Sequence, residues 1–519
     1  MRFFNQLVAV CISLLVATTS AGFVSYPRPS IYNKSAHFSL KVNGTYAYTV
    51  SYAGYDYVQL SMDEGHPTEF RIALTDESSI TSYNISPLKT SIPATVDGNE
   101  LVFTVTTANY LIVEINDEKK FIILADPSET DVPDTTASNV YNVLNYTADN
   151  TGATTTKGVQ AALDAAEGHA GSIVYVPPGL YIVPNLYIHS QTSLYLAGGA
   201  VLRMSDNPDD YKHDFYKSGD GNGTWWIRTD ADSKDIKVYG RGTIDGNGQT
   251  IFHLEPRFIA DLLVPVGTTN FKCDGILVRD ASFWAVVPIQ VTTASITNIK
   301  ILDRFNIGQN DGIDVVESTD VTIDRAIAIT NDDSFSTKTW PYNVGTTVPY
   351  PYKPRPLRNV VFNNCIAWTN CYGYKVGQGI YESQDNVTFT NSVVYTAAVG
   401  LGIDHKFGTS TVSNVSFTNM DIEGLHGTNF GHATWLAVLV ELDNGAGVGP
   451  VEGVLVNNVT ARVLGKYNSL VQGYNSSAMV SDVTIGNVYV HNSTVPAKTL
   501  ADIKVLDTDY SEGIKLVNN

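Results

Sequence analysis

Hydrophobic residues recur in short runs separated by polar turns along nearly all of the 519 residues, and the pattern changes character twice. From residue 22 to 127, runs such as HFSLKVNG, YAYTVSY, NELVFTV and NYLIVEIND alternate apolar and polar positions between turn residues. That alternation predicts a small antiparallel β-sandwich. The stretch ADPSETDVPDTTASN, 125–139, is rich in Pro, Asp, Ser and Thr. It reads as a linker, and 128–150 as linker and lead-in to the next unit. In TTTKGVQAALDAAEG, Val159, Leu163 and Ala166 fall at helical spacing, the one clear helix signal in the chain.

Beyond that helix the chain repeats itself. VTIDRAIAI from Val321, VVFNNCIAW from Val360, VTFTNSVVY from Val387, VLVNNVTAR from Val454 and VTIGNVYVH from Val483 share apolar first and third places, usually with Asn or Arg at the fifth. Related runs begin at Ile236, Ile276, Ile299 and Val415, so successive starts lie roughly 22 to 29 residues apart outside longer insertions. One period is one coil of a parallel β-helix over 151–519, with coils stacked ~4.8 Å apart and an Asn side-chain ladder at one corner. The Val159 helix is expected to cap the first coil, whose open edge would otherwise invite aggregation. A β-propeller needs longer, four-stranded units, so the predicted class is all-β, with a parallel β-helix preceded by the sandwich.

Equal offsets within such coils should stack. Counted from Ile299, Val321 and Val360, the thirteenth place holds Asp311, Asp333 and Tyr372, and the sixteenth holds Asp314, Ser336 and Lys375. Asp332 stands one residue before Asp333. Carboxylates brought together raise one another's proton affinity, so one can stay protonated while another is ionised. Glycosidic cleavage uses that division between a proton donor and a water activator. A plain Asn/Asp turn explains NDD alone, and oxygen ligands for Ca2+ are a further reading, which Lys375 nearby disfavours. The aligned QNDGID one coil earlier favours catalysis.

The first 21 residues, with Arg2 ahead of an apolar run and small residues near Ala21, have the layout of a cleaved signal peptide. A secreted, extracellular protein is expected, and about ten Asn-x-Ser/Thr sequons agree with export. A formal charge of −19 argues against nucleic acid and anionic membranes as partners. Cys273, Cys365 and Cys371 permit at most one bridge and show no metal-ligand spacing.

At these residues the sequence resembles the polygalacturonase family of pectin-degrading hydrolases, and more broadly the β-helical clan that includes dextranases and isopullulanase. TTKGVQAALDAAEGHAGSIVYVPPGLYIV, DGNG at 245–248 and VRDASFWAV are similar to that family's early coils. QNDGIDV resembles its Asn-Thr-Asp-Gly motif and TNDDSF its Gln-Asp-Asp motif. The likeness covers residues 138–500. It implies a right-handed β-helix, Asp332 as general acid, Asp311 and Asp333 holding the attacking water, and inversion at the anomeric carbon. If Asp332 and Asp333 are to serve together, a bulge or corner must interrupt strand alternation between them.

Two motifs depart from the family. CYGYKVG puts Tyr372 where the family has a His, and Asp404-His405-Lys406 stands where it has Arg-Ile-Lys, so only Lys406 matches. The missing guanidinium weakens recognition of a galacturonate carboxylate. Asp314, Tyr372, Lys375, Lys406, His405 and Trp340 are the expected substrate-binding residues, with Trp340 as a cleft wall. Trp284 and Trp368, sharing place nine of their coils, are expected in a core ladder, and His426 and His432 in loops. The expectation is a monomeric inverting glycoside hydrolase acting on a polysaccharide, pectin-type first and neutral α-glucan second, with no cofactor and no metal. A non-catalytic carbohydrate-binding β-helix is the alternative of another class.

Overall fold

The computed structural model describes residues 18–20, 22–341, 349–427, 433–443 and 445–518. The segment expected to be a signal peptide and His432 lie outside these residues, apart from the short strand Thr18–Ser20. Two sheets form the N-terminal unit. One, of five strands, is antiparallel throughout and centres on Phe38–Val42 and Thr68–Leu74. The other departs from the antiparallel expectation, because Tyr55–Met62 and Lys120–Pro127 pair in parallel. Strands so far apart in sequence can meet in either direction, whereas neighbours joined by tight turns must be antiparallel. Alternation buries Phe38, Leu40, Phe70 and Ile72 against Leu60, Phe121 and Ile123 between the two sheets.

Pro127 still belongs to that second sheet, so the linker begins after the residues at which its composition first changes. Asp126 is fully buried, with Lys300 Nζ 2.5 Å from its Oδ2. The first parallel rung forms at Val140–Asn142, which pairs with Ser172–Val176. Helix Gly158–Ala166 then lays Val159, Ala162, Leu163 and Ala166 over the end of the coil core. A β-carbon at Gly158 would stand 2.3 Å from the Ala148 nitrogen, so only glycine lets the helix seat this closely.

From there a parallel β-helix runs to Lys515–Leu516. Each coil repeats its hydrogen-bonding needs on the coil before, so inward positions stay apolar turn after turn. Phe362, Phe389 and Phe417 stack through the core with ring centroids 5.0 and 5.1 Å apart. At one corner Arg325, Asn364, Asn391, Asn419, Asn458 and Asn487 all take the left-handed conformation, φ 49–56°, which Asn tolerates better than most residues. Hydrogen bonds between side-chain amides tie successive coils there, Asn419 Nδ2 donating to Asn391 Oδ1 at 3.0 Å and Asn458 Nδ2 to Asn419 Oδ1 at 2.8 Å. This is the expected ladder.

A further wall of the helix carries Phe258–Val264, Ile313–Val316, Phe335–Thr339, Tyr372–Ile380 and Val399–Phe407 in succession. Its register puts Asp314 beside Ser336 and Ser336 beside Lys375, as the offsets predict. The agreement comes from two compensating differences. Val321 pairs with Ala294, not Ile299, so counting from Ile299 starts five residues late. The connection from Leu302 to Ile313 is longer by the same amount than the one from Ile329 to Phe335. The count from Ile276 has no such compensation, because Val360 aligns through Val321 and Ala294 with Phe271. Trp284 and Trp368 therefore do not stack, which corrects the core-ladder expectation. Trp284 sits on the site wall, and Trp368 faces the sandwich.

The sandwich packs on the side of the helix formed by Leu277, Leu302, Ile327, Ile329 and Trp368, using Tyr55, Ile112, Ile122 and Leu124. Within that contact the Arg279 guanidinium carbon lies 4.1 and 4.3 Å from the ring centroids of Tyr32 and Tyr52, and Nη1 donates to Tyr57 Oη at 2.7 Å. Cation–π contacts replace part of the hydration that a buried guanidinium loses.

Candidate active site

The corner between Ile327–Thr330 and Phe335–Thr339 resolves the alternation problem, since Asn331 to Asp333 lie outside both strands. Both acids reach one cleft of about 510 Å³, together with Asp311 from the preceding coil. The Asp332 backbone is held on both sides. Its N–H donates to Asn310 Oδ1 at 3.2 Å, and its carbonyl accepts from the hydroxyls of Thr330 and Thr369. Its carboxylate accepts from the Gln309 N–H at 3.3 Å and the Asp333 N–H at 3.0 Å.

The three acids differ in electrostatic setting. Burial and then the Asp333 charge push the half-buried Asp332 carboxyl above its usual range, and the more distant Lys375 and Lys338 offset this only in part. Burial also acts on Asp333, but Lys375, with Nζ 3.1 Å from Oδ2, and then Lys338 outweigh it and hold this carboxyl below its usual range. Asp311 goes up through burial and then Asp314. Lys338 Nζ lies 2.5 Å from Asp311 and 2.7 Å from Asp314, so one ammonium serves two buried carboxylates and cancels only part of their charge. A carboxyl of raised proton affinity thus stands beside one of lowered affinity, an arrangement that acid–base catalysis can use.

Of the expected binding residues, Trp340 lines the cleft, its ring 5.9 Å from Phe407 and 6.4 Å from Tyr381. Residues 342–348 of its insertion lie outside the described residues. Four others need correction. Asp314 and Lys375 are fully buried, ion-paired with Lys338 and with Asp333 and Asp404 respectively. His405 is fully buried with Nε2 2.7 Å from the Ser410 carbonyl oxygen. Lys406 lies outside the cleft lining, ion-paired with Glu441 at 3.2 Å and Asp443 at 3.5 Å. Offset counting places residues along a wall but carries no information about depth. Tyr372 is half-buried with its ring under Lys375, Nζ to centroid 4.4 Å, and its N–H points to Asp333 Oδ1 at 3.4 Å.

The cleft also uses residues that sequence reasoning passed over, Gln309, Gln378, Tyr381, Phe407 and Phe283, together with Trp284, which it had placed in a core ladder. Lys338 Nζ sits 4.4 Å from the Trp284 ring centroid and ties that indole to the acid cluster. A signal existed in Gly377-Gln378-Gly379, since glycine inside a strand marks a close approach. A β-carbon on Gly379 would come within 2.9 Å of the Trp340 indole. His426 is half-buried and lies outside this lining. Asp332, Asp333 and Cys371 offer ligand-type atoms within 4.8 Å of one another. The Lys375 ammonium already occupies the cationic place beside Asp333, which does not suit a metal. Cys273, Cys365 and Cys371 are all free thiols.

Parallel coils with paired acids in an open cleft define a carbohydrate-active β-helix protein. The model of the family described as Glycosyl hydrolases family 28 matches residues 210–511, more than half of the chain, and the chain belongs to that family. It is 28% identical over 304 residues to a probable endo-xylogalacturonan hydrolase A of Aspergillus niger, a match spanning 52% of this chain and 66% of that protein. The chain thus aligns with about two thirds of that relative's length. In fold it is similar to the family 28 exopolygalacturonase of Yersinia enterocolitica, TM-score 0.53 at 14% identity, covering 87% of this chain and 97% of that one. It is also similar to Dex49A of Penicillium minioluteum, TM-score 0.56 at 14% identity, covering 96% and 99%. The fold of this chain is the right-handed parallel β-helix expected from the sequence.

Proposed function

We propose that this protein hydrolyses glycosidic bonds in a pectin-type polysaccharide by an inverting acid–base mechanism. The observation that carries the reading is the opposed setting of two consecutive carboxyls, Asp332 pushed up and Asp333 held down. Asp332 gives its proton to the departing glycosidic oxygen as the C1–O bond breaks. A water held by Asp333 and Asp311 attacks C1 from the opposite face, and its proton passes to the ionised Asp333. Transfer of that proton to solvent and reprotonation of Asp332 close the cycle. Family membership and the relative's name support a galacturonan backbone. Residues 22–127 form an accessory sandwich and 151–519 the catalytic body of an exported, monomeric enzyme. Among the described residues no helix is long and apolar enough to cross a membrane.

One observation favours a second substrate class. Both lysines that line the cleft are engaged, Lys338 by Asp311 and Asp314 and Lys217 by Asp220 at 3.1 Å. A neutral or substituted sugar at this subsite needs no free cation. Reducing-end release from polygalacturonate, xylogalacturonan, rhamnogalacturonan, dextran and pullulan, beside an Asp332→Asn control, decides between them. Release from a galacturonan polymer, abolished in the control, is expected. Cleavage of dextran or pullulan alone would replace pectin by a neutral glucan, and no release from any polymer would favour a binding protein. Proton NMR of the first-formed anomer checks inversion.

A further inference from the structure

The hairpin tip Tyr52–Tyr55 of the sandwich bears on the loop that leads from Lys300–Leu302 to the site wall. Tyr55 Oη donates to the Asp303 carbonyl at 3.0 Å. The Arg304 guanidinium carbon lies 4.9 Å from the Tyr52 ring centroid, and Tyr52 Oη reaches Asp280 at 3.4 Å. Phe305 packs edge-on to Tyr55 with centroids 6.3 Å apart. A β-carbon on Gly54 would stand 3.2 Å from that phenyl ring, so the tip and the loop are in close contact.

The far end of the same loop is the site. Asn310 Nδ2 donates to the Arg304 carbonyl at 2.7 Å, and its Oδ1 accepts the N–H groups of Asn331 at 2.9 Å and Asp332 at 3.2 Å. The side-chain amide therefore joins the segment under the tyrosine tip to the backbone of the acid. A second line of contact runs parallel to it. The Tyr55 ring lies 5.5 Å from Trp368, next to Thr369, whose hydroxyl donates to the Asp332 carbonyl. Residues 303–310 form no strand, and a connection of this kind depends on outside contacts for its position.

We propose that the Tyr52–Tyr55 tip is a positioning element for catalysis: it braces loop 303–310 and, through Asn310, sets the place of Asp332. The sandwich then completes the active site from behind. This inference rests on the assignment of Asp332 as the acid. Misplacement of a reacting group by about 1 Å costs on the order of 100-fold in rate, so a brace some residues away from the cleft has kinetic consequences.

The test compares the full chain with Tyr55→Ala and Tyr55→Phe. Amide hydrogen exchange reads the brace without reference to activity, and Tyr55→Ala is expected to speed exchange across residues 303–312. On the polymer that the protein cleaves, kcat is expected to fall about tenfold with KM within about twofold. The basic limb of the rate profile should move to lower pH as a loosened Asp332 gains water. Tyr55→Phe keeps the ring and should give smaller changes in the same directions, and it serves alone if Tyr55→Ala does not fold. Unchanged exchange at 303–312, or faster exchange with unchanged kcat and limb, would overturn the proposal. Full activity in Asp332→Asn would instead remove the acid assignment on which it rests.

Discussion

Lys375 Nζ lies 3.1 Å from Asp333 Oδ2 and 3.4 Å from Asp404 Oδ2, whereas Asp332, the residue next to Asp333, has no ion-pair partner among the described residues. One buried ammonium thus pushes two adjacent carboxyls apart in proton affinity, Asp333 below its usual range while Asp332 stays above. Replacing Lys375 by Met leaves Asp333 buried without its cation. Stability should fall by about 3–5 kcal/mol, the usual cost of breaking a buried pair from one side. In the variant that remains folded, the acidic limb of the rate profile should move to higher pH, because Asp333 no longer ionises as readily. Urea denaturation and a pH–rate series measure the two effects.

In the proposed mechanism Asp332 works protonated, in keeping with burial and the Asp333 charge, which push its carboxyl above the usual carboxylate range. Rate should therefore decline as pH rises through its raised pKa, and decline on the acid side as Asp333 takes up a proton. Asp332→Asn keeps the shape without the transferable proton and should lower kcat by roughly 10²–10⁴-fold. Steady-state kinetics across the pH range check both statements, and a substrate whose leaving group needs no protonation should restore most of the lost rate.

Trp340 presents its indole to the cleft and rests on Phe407 and Tyr381. Removal of one aromatic face from a sugar subsite costs on the order of 0.5–1.5 kcal/mol of stacking. Trp340→Ala should raise KM by roughly 2–10-fold and leave kcat nearly unchanged. Trp284→Ala should reduce kcat as well, since that indole also contacts Lys338 beside Asp311.

At the contact between sandwich and helix, Glu423 Oε1 accepts the Leu88 N–H at 2.6 Å, and burial pushes its carboxyl up to about 7. The folded state binds this proton more tightly than the unfolded chain, whose Glu titrates near 4.3. The associated stability is fully present below the unfolded value and is lost as pH rises through about 7, on the order of 3–4 kcal/mol. Melting temperature should fall between pH 5 and pH 8, and Glu423→Gln should flatten that slope.

How much of this was legible in the sequence follows from what each feature depends on. The coil repeat was readable because parallel pairing imposes the same inward side chains on every turn, and the Asn column because the left-handed corner favours that residue. Asp311, Asp332 and Asp333 came together for the same reason, although the starting points of the counts were misaligned and a longer loop compensated. Where no such compensation existed, Trp284 and Trp368 were wrongly stacked. Asp314 and Lys375 were expected to bind substrate because periodicity reports a wall and not a depth, and His405 because it stands beside Lys406 in the stretch compared with the family's motif.

By itself the sequence determined the all-β coil, its capping helix, the sandwich ahead of it and the wall on which the acids stand. These depend on local alternation and a repeated hydrogen-bond period, which are one-dimensional properties. Only the tertiary structure decided which carboxyl is pushed up and which is held down, since that depends on Lys375 and Lys338 arriving from other strands at about 3 Å. It also decided the docking of the Tyr52–Tyr55 tip behind Asn310, a contact between residues some 250 positions apart. Coulomb energy and packing act through space, and no period along the chain records them.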